Sequence, residues 1–397
     1  MNLFDGMKLV FCVVISTAFA TSSLALPGEA KVAEQSGGMS RDEADTLLKE
    51  IWQAKKDSVS EVLSAELENK KIIVGDHELK ILEKTFGDEP EGGHSLWISM
   101  HGGGGAPARV NDQQWNNQIR LYQPEEGIYV APRAPTDTWN LWHEGHIDPL
   151  FERMIAAYVI TRGVNPDRVY LMGYSAGGDG VYQLGPRMAD TFAAASMMAG
   201  HPNESLPDGL RNLPFALYVG GKDAAYDRNK KAPEWGKLLD DLQEKDPDGY
   251  VHRLTVYPEK GHWMDGEDKD SLPWMAGFIR NAWPKKIVWR QDDVTHKRFY
   301  WLGVAADTAR AGQEILAEVS GQKISLTSED FAGFNLYLND ELVDLDRPLT
   351  VVINGDEVFR GKLIRSREAV ERSLDERLDV RMAATAILGV ECSVSGK

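Results

Sequence analysis

Cysteine is nearly absent: the 397 residues contain two. One of them, Cys12, lies in an apolar N-terminal segment, which leaves Cys392 alone in a processed chain. An internal disulfide is thereby excluded after processing, and so is a cysteine-built zinc site. Stability must come from packing. Positive charge is also short, with 44 Lys and Arg against 61 Asp and Glu and a formal net charge of −17. That balance argues against nucleic acid or an anionic membrane surface as the main partner. The apolar run Leu9 to Ala20 is too short for a membrane span. With Lys8 before it and Ser23-Leu24-Ala25 after it, the run has the layout of a secretory signal. We expect Met1 to Ala25 to be removed, and the protein to be secreted or periplasmic with no membrane attachment after cleavage.

The rest of the chain divides by pattern. Residues 26–39 form a polar linker. Residues 40–284 open with a capping box, Ser40-Arg41-Asp42-Glu43, and a helix striped with Leu47, Leu48, Ile51 and Trp52. Strands and helices then alternate, with apolar runs at 96–100, 127–131, 168–172, 192–199, 214–220 and 251–257 and helical stretches at 151–160 and 233–245. This predicts an α/β fold whose mostly parallel sheet is flanked by helices. After Trp283-Pro284 the pattern becomes short strands, including a hairpin turning at Asn354-Gly355, followed by a charged helix over 366–379 with Glu368 and Arg372 spaced to pair. Residues 285–397 therefore read as a smaller β-rich accessory domain without a catalytic set of its own.

Gly173-Tyr174-Ser175-Ala176-Gly177 carries the chemistry. It follows an apolar strand and precedes a small-residue helix start, the setting in which G-x-S-x-G holds a serine on a sharp turn with its hydroxyl exposed. Upstream, another apolar strand runs into His101-Gly102-Gly103-Gly104-Gly105, a loop able to point backbone N–H groups at a developing oxyanion. Gly103, Gly104 and Ala176 are the expected donors. Downstream, Asp223 and Gly261-His262 each follow a strand, so the chain presents Ser175, Asp223 and His262 in hydrolase order. Ser175 is the expected nucleophile, His262 the base and Asp223 the group that orients the imidazole. Asp227 rivals Asp223, and His201 rivals His262 or lines the pocket.

Other motifs are weaker. The glycine loop loosely imitates a dinucleotide fingerprint, but Pro107 interrupts it and no Gly-Lys-Ser/Thr follows. His143-Glu144-Gly145-His146 is one residue short of H-E-x-x-H, so we expect a loop there and no metal or organic cofactor. Trp115, Trp139, Trp142 and Trp263 fall in loops near the serine; Trp142 and Trp263, with His201, are candidates for substrate contact and otherwise pack loops. Arg133 could meet a substrate carboxylate or serve structure.

His101 to Gly105, Gly173 to Gly177, Asp223 and Gly261-His262 together resemble the α/β-hydrolase superfamily. The resemblance spans Ile72 to Trp283. It is nearest to secreted esterases of the polyhydroxybutyrate-depolymerase and feruloyl-esterase-like group, with prolyl-oligopeptidase catalytic domains more distant. It implies a serine esterase acting on a small or polymer-borne ester; a peptidase or a non-catalytic binding protein are the alternatives.

Overall fold

The computed structural model describes residues 38–328, 331 and 333–391. The signal-like segment, most of the linker and Cys392 lie outside the described residues. Among those described, no helix is long and apolar enough to cross a membrane.

The first helix, α1 (Arg41–Glu68), starts as its sequence predicts. Ser40 accepts from the Glu43 N–H, and the Glu43 carboxylate accepts from the Ser40 N–H at 2.8 Å. The strands β1 (Lys71–Val74), β2 (His77–Phe86), β3 (Leu96–Met100), β4 (Gly127–Arg133), β5 (Val169–Tyr174), β6 (Ala194–Met198), β7 (Phe215–Gly220) and β8 (His252–Tyr257) form one sheet. Its order is β1-β2-β4-β3-β5-β6-β7-β8. Pairing is antiparallel from β1 to β4 and parallel from β4 to β8.

Alternation along the strands makes two cores. Leu96, Ile98, Val169 and Leu171 face one side, under α3 (Ile147–Arg162), α4 (Ala176–Arg187) and α5 (Arg228–Lys245). Trp97, Tyr170 and Met172 face the other, against residues of α2 (Ala108–Gln118) and α6 (Ser271–Ala276). Strands β3 to β7 are buried along their whole length, which is why they read as continuous apolar runs.

Beyond Pro284 the chain builds two further sheets. One, in the order β16-β15-β13-β12-β9, uses β9 (Lys286–Arg290), β12 (Glu314–Ser320), β13 (Lys323–Ser328), β15 (Leu349–Ile353) and β16 (Asp356–Gly361). The other, β10-β11-β14-β17, uses β10 (Arg298–Phe299), β11 (Leu302–Gly303), β14 (Gly333–Leu338) and β17 (Ala386–Glu391). The expected hairpin is there, with Asn354 and Gly355 both at positive φ. Ile287, Trp289, Phe299 and Trp301 join the same apolar cluster as Phe151 and Leu217, so the core runs on without a break. Polar ties add to it: buried Arg280 donates to Asp167 and Asp379, and the Tyr300 N–H donates to Asp190 at 2.8 Å.

Two local expectations need correction. The stretch 297–302, which the sequence pattern after Pro284 reads as a single short strand, is two, because Tyr300 takes a positive φ and breaks it into β10 and β11. Glu368 and Arg372 do not pair in α7 (Arg367–Glu376). Arg372 turns toward the C-terminal end and meets Glu376 at 2.9 Å, where it also reaches Tyr337.

Candidate active site

Ser175 sits between β5 and α4 with φ 58° and ψ −121°, a conformation that costs a non-glycine residue ~1–3 kcal/mol. The flanking glycines allow it. A Cβ on Gly173 would come 2.2 Å from the Gly177 carbonyl oxygen, and one on Gly177 would come 2.1 Å from that of Met100. The turn therefore packs directly on the end of β3, whose continuation is the His101 to Gly105 loop.

The structure brings three of the predicted residues together. His262 Nε2 lies 2.9 Å from Ser175 Oγ, and His262 Nδ1 lies 2.7 Å from Asp223 Oδ2. Asp223 follows β7 and is buried, whereas His262, after β8, is 43% exposed and open to solvent on the serine side. A carboxylate at Nδ1 fixes the proton there and leaves Nε2 free to accept from the serine hydroxyl. The rival Asp227 is exposed and pairs with Lys230. Sequence reasoning missed Tyr174, inside the G-x-S-x-G motif itself. Its hydroxyl donates to the His262 carbonyl at 2.6 Å and accepts the Met264 N–H at 3.1 Å, holding the histidine loop in place. Burial raises its pKa, so it stays protonated as that donation requires.

The glycine loop is arranged by His101. This buried ring donates from Nδ1 to the Gly102 carbonyl at 2.6 Å and accepts the Ala134 N–H at Nε2, 3.2 Å away. Burial pulls its pKa down to about 4, so it is neutral and can do both. In a planar trans peptide, a Gly102 carbonyl held on His101 turns the Gly103 N–H the opposite way. Gly102 is also the loop residue against the nucleophile, since a Cβ there would stand 3.0 Å from Ser175 Cβ. Gly103 is exposed, and its N–H and that of Ala176 at the start of α4 have no partner among the described residues. Gly104 is a correction. Its N–H is committed to Asn111 Oδ1 at 2.9 Å, so it anchors the loop instead of serving an oxyanion.

A cleft of about 590 Å³ opens beside Ser175 and His262. Gly102, Gly103, Tyr174 and Trp263 line it, and Val110, Gln114 and Asn117 form its α2 wall, with Arg120 just past that helix. Trp263 is 50% exposed there. Trp142 is a second correction: it is fully buried, and its Nε1 donates to the His101 carbonyl at 2.9 Å, so it supports the loop from beneath. His201 is a third, being absent from the cleft lining. Its N–H donates to Asp179 Oδ1 at 2.6 Å, and its ring nitrogen accepts the Asn203 N–H. Asp179, one turn along α4 from Ser175, has its pKa pushed up to about 6 by burial.

The remaining candidates are structural. Arg133 pairs with Asp112 and Asp137, and Trp115 Nε1 donates to the Ala131 carbonyl at 2.8 Å. His143 packs edge-on against Trp139, while His146 stacks on His77 with centroids 3.9 Å apart, so these two rings engage different neighbours. The carboxylates of Asp340, Asp344 and Asp346 converge within 4.8 Å, but Arg365 already neutralises Asp340 and Asp346.

A sheet of this order, with a serine turn after β5, an acid after β7 and an imidazole after β8, is an α/β-hydrolase fold with the triad order Ser, Asp, His. The sequence matches no protein-family profile and no curated protein. Solved structures do match over about half the chain. A thermostable esterase is 19% identical, with a TM-score of 0.38, over 51% of this chain and 60% of its own. The poly(3-hydroxybutyrate) depolymerase LpqC from Bordetella parapertussis is 16% identical, TM-score 0.38, over 52% and 87%. Dipeptidyl peptidase 4 from Porphyromonas gingivalis is 11% identical, TM-score 0.38, over 52% and 35%.

Proposed function

We propose that the protein is a serine hydrolase that cleaves carboxylic esters through an acyl-enzyme. The observation that carries this reading is the unbroken relay from Asp223 through His262 to Ser175 Oγ, ending beside two backbone N–H groups with no partner among the described residues. Ser175 Oγ attacks the ester carbonyl and gives its proton to His262 Nε2. The imidazolium is stabilised by the buried Asp223 carboxylate, and the carbonyl oxygen, now negative, takes the Gly103 and Ala176 N–H groups. Collapse of the tetrahedral intermediate breaks the ester C–O bond, and His262 protonates the departing alkoxide. Water, deprotonated by His262, then attacks the acyl carbonyl and releases Ser175.

Two features favour esters. Among the described residues, the cleft has no Asp or Glu in its lining to hold the ammonium group of a peptide's N-terminus. Trp263 and Tyr174 offer apolar surface beside the nucleophile for the body of an ester. The basic, apolar and small-residue layout of Met1 to Ala25 supports export, so the substrate is met outside the cytoplasm.

The test is labelling with a fluorophosphonate, followed by assays on short p-nitrophenyl esters and aminoacyl anilides. Labelling abolished by Ser175→Ala, with turnover of esters only, is the expected result. Anilide turnover would make the protein a peptidase, and a wild-type chain that takes no label would make it a binding protein on a hydrolase scaffold.

A further inference from the structure

The cleft beside Ser175 carries an imbalance of charge. Apart from His262 and the protonated Tyr174, the one ionisable side chain on its walls among the described residues is Arg120, just beyond the C-terminal end of α2. Arg120 is exposed, and its guanidinium meets no carboxylate, carbonyl or aromatic ring among the described residues. In a chain with 61 acidic residues against 44 basic ones, a counter-ion for a surface arginine is easily found. The next cation toward the β4 end, Arg133, has two. The side-chain amides of Gln114 and Asn117, on the same face of α2, likewise have no partners among the described residues. In a protein of net charge −17, the cleft wall thus presents one unpaired cation and neutral donors, with no Asp or Glu in its lining among the described residues.

We propose that Arg120 recognises a carboxylate carried by the ester substrate, so that the enzyme favours anionic esters over neutral ones of the same size. This rests on the esterase reading only for which molecule carries the carboxylate. A guanidinium presents paired N–H donors that match the two oxygens of a carboxylate, and a cleft of one sign concentrates its field on an approaching anion. Gln114 and Asn117 extend the donor surface toward Gly103. The alternative role for Arg120 is structural. A cation just past a helix C-terminus also interacts with the last carbonyls of that helix. The two roles differ in what they move: the structural one changes stability, and recognition changes selectivity.

The experiment compares two substrate pairs in wild type, Arg120→Leu and Arg120→Lys. Mono-p-nitrophenyl succinate against p-nitrophenyl butyrate places the carboxylate on the acyl part. The pair 4-acetoxybenzoate and its methyl ester places it on the leaving group. Dividing variant by wild type cancels the intrinsic reactivity of each ester. For at least one pair, Arg120→Leu should lower kcat/KM of the anionic member about ten- to a hundredfold more than that of the neutral member, mainly through KM. Lysine should restore part of the difference, and high salt should shrink it in wild type. Parallel losses in both pairs, or a lower melting temperature with selectivity intact, overturn the proposal and leave Arg120 as a helix-terminal charge. A second readout needs no turnover. In Ser175→Ala, titrations with 4-acetoxybenzoate and with monomethyl succinate followed by tryptophan fluorescence should show, for at least one of the two, affinity about tenfold or more above that of Ser175→Ala/Arg120→Leu. If that holds while wild type cleaves no ester, the esterase reading falls and the carboxylate subsite stands. Equal affinities of the two chains for both anions remove the subsite.

Discussion

The backbone N–H of Gly104 donates to the side-chain oxygen of Asn111 at 2.9 Å. Asn111 is fully buried, and its amide nitrogen donates onward to the Ala106 carbonyl at 3.1 Å and to Asp137 at 2.8 Å. One side chain on α2 therefore ties the far end of the glycine loop to the turn that holds Asp137, while His101 fixes the near end. The Gly103 N–H hangs between these two anchors. Truncation in Asn111→Ala leaves the Gly104 N–H unpaired and one anchor gone. We expect kcat on esters to fall about ten- to a hundredfold with little change in KM, and stability to fall by ~1–3 kcal/mol. Steady-state kinetics beside a urea titration check this; a loss of stability with kcat intact would mean that the loop holds its shape without Asn111.

Asp223 and Asp227 separate more sharply. Asn at 223 keeps the size of the buried side chain but removes the negative charge, and its NH2 can donate to His262 Nδ1 and hold the imidazole in the wrong tautomer. The expected drop in kcat is on the order of 10⁴-fold with a melting curve close to wild type. Asp227 only meets Lys230 on the surface, so Asp227→Asn should stay within about twofold of wild type. Comparable losses in the two variants would mean that the loop after β7 rearranges when substrate binds.

The two tryptophans proposed for substrate contact should behave oppositely. Trp142 is 0% exposed, packs on Phe151 and holds the His101 carbonyl, so Trp142→Ala should cost ~3–5 kcal/mol of stability. Trp263 is half exposed beside Tyr174 and His262, so Trp263→Ala should leave the melting temperature near wild type and raise KM for bulky esters severalfold. Thermal melts and KM values on short and bulky p-nitrophenyl esters check both.

What the sequence made legible is what short-range chemistry dictates. The serine turn is readable because two glycines must flank so tight a reversal. The triad is readable because each member follows an apolar strand and the order along the chain is diagnostic. The hairpin at Asn354-Gly355 is readable because few residue pairs accept positive φ twice. What the sequence hid depends on partners distant in the chain. Nothing near Gly104 says that Asn111 will take its N–H, and a loop tryptophan looks the same whether it ends under the loop, as Trp142 does, or on it, as Trp263 does. Tyr174 occupies a variable position of the motif, and only its contact with the histidine loop, 88 residues on, reveals its work. The parallel pairing of β13 with β15 and the addition of β17 to β14 are likewise long-range. Charge pairing along α7 was local but ambiguous, because Arg372 has a glutamate one turn away on each side.

The neutral state of His101 leads to a pH dependence whose sign can be worked out. In the folded protein burial holds its pKa near about 4, and in the unfolded chain it returns to about 6.5. Between those values the unfolded chain binds a proton that the folded one refuses, so folding stability falls as pH drops through this window and levels off below it. Full expression of this difference is worth about 3 kcal/mol. Buried His143, also pulled down to about 4, acts in the same direction. Asp179 opposes them between about pH 4 and 6, because its carboxyl is raised to about 6 and the folded chain then binds the extra proton. The raised carboxyls of Asp268 and Glu152 oppose them as well. The wild-type profile is thus a sum of opposing terms, and only a difference isolates the imidazole. In His101→Gln, whose amide can still donate toward Gly102 and accept from Ala134, that ionisation is gone while the others remain. Urea titrations of both proteins from pH 7 to 4.5 should therefore show wild type losing about 2–3 kcal/mol more than the variant. A gap between the two that stays constant with pH would mean that His101 takes up its proton as readily in the folded protein as in the unfolded chain, and is charged at the lower end of this range. The Ala134 N–H would then have no acceptor at Nε2, and the loop would have to be held some other way.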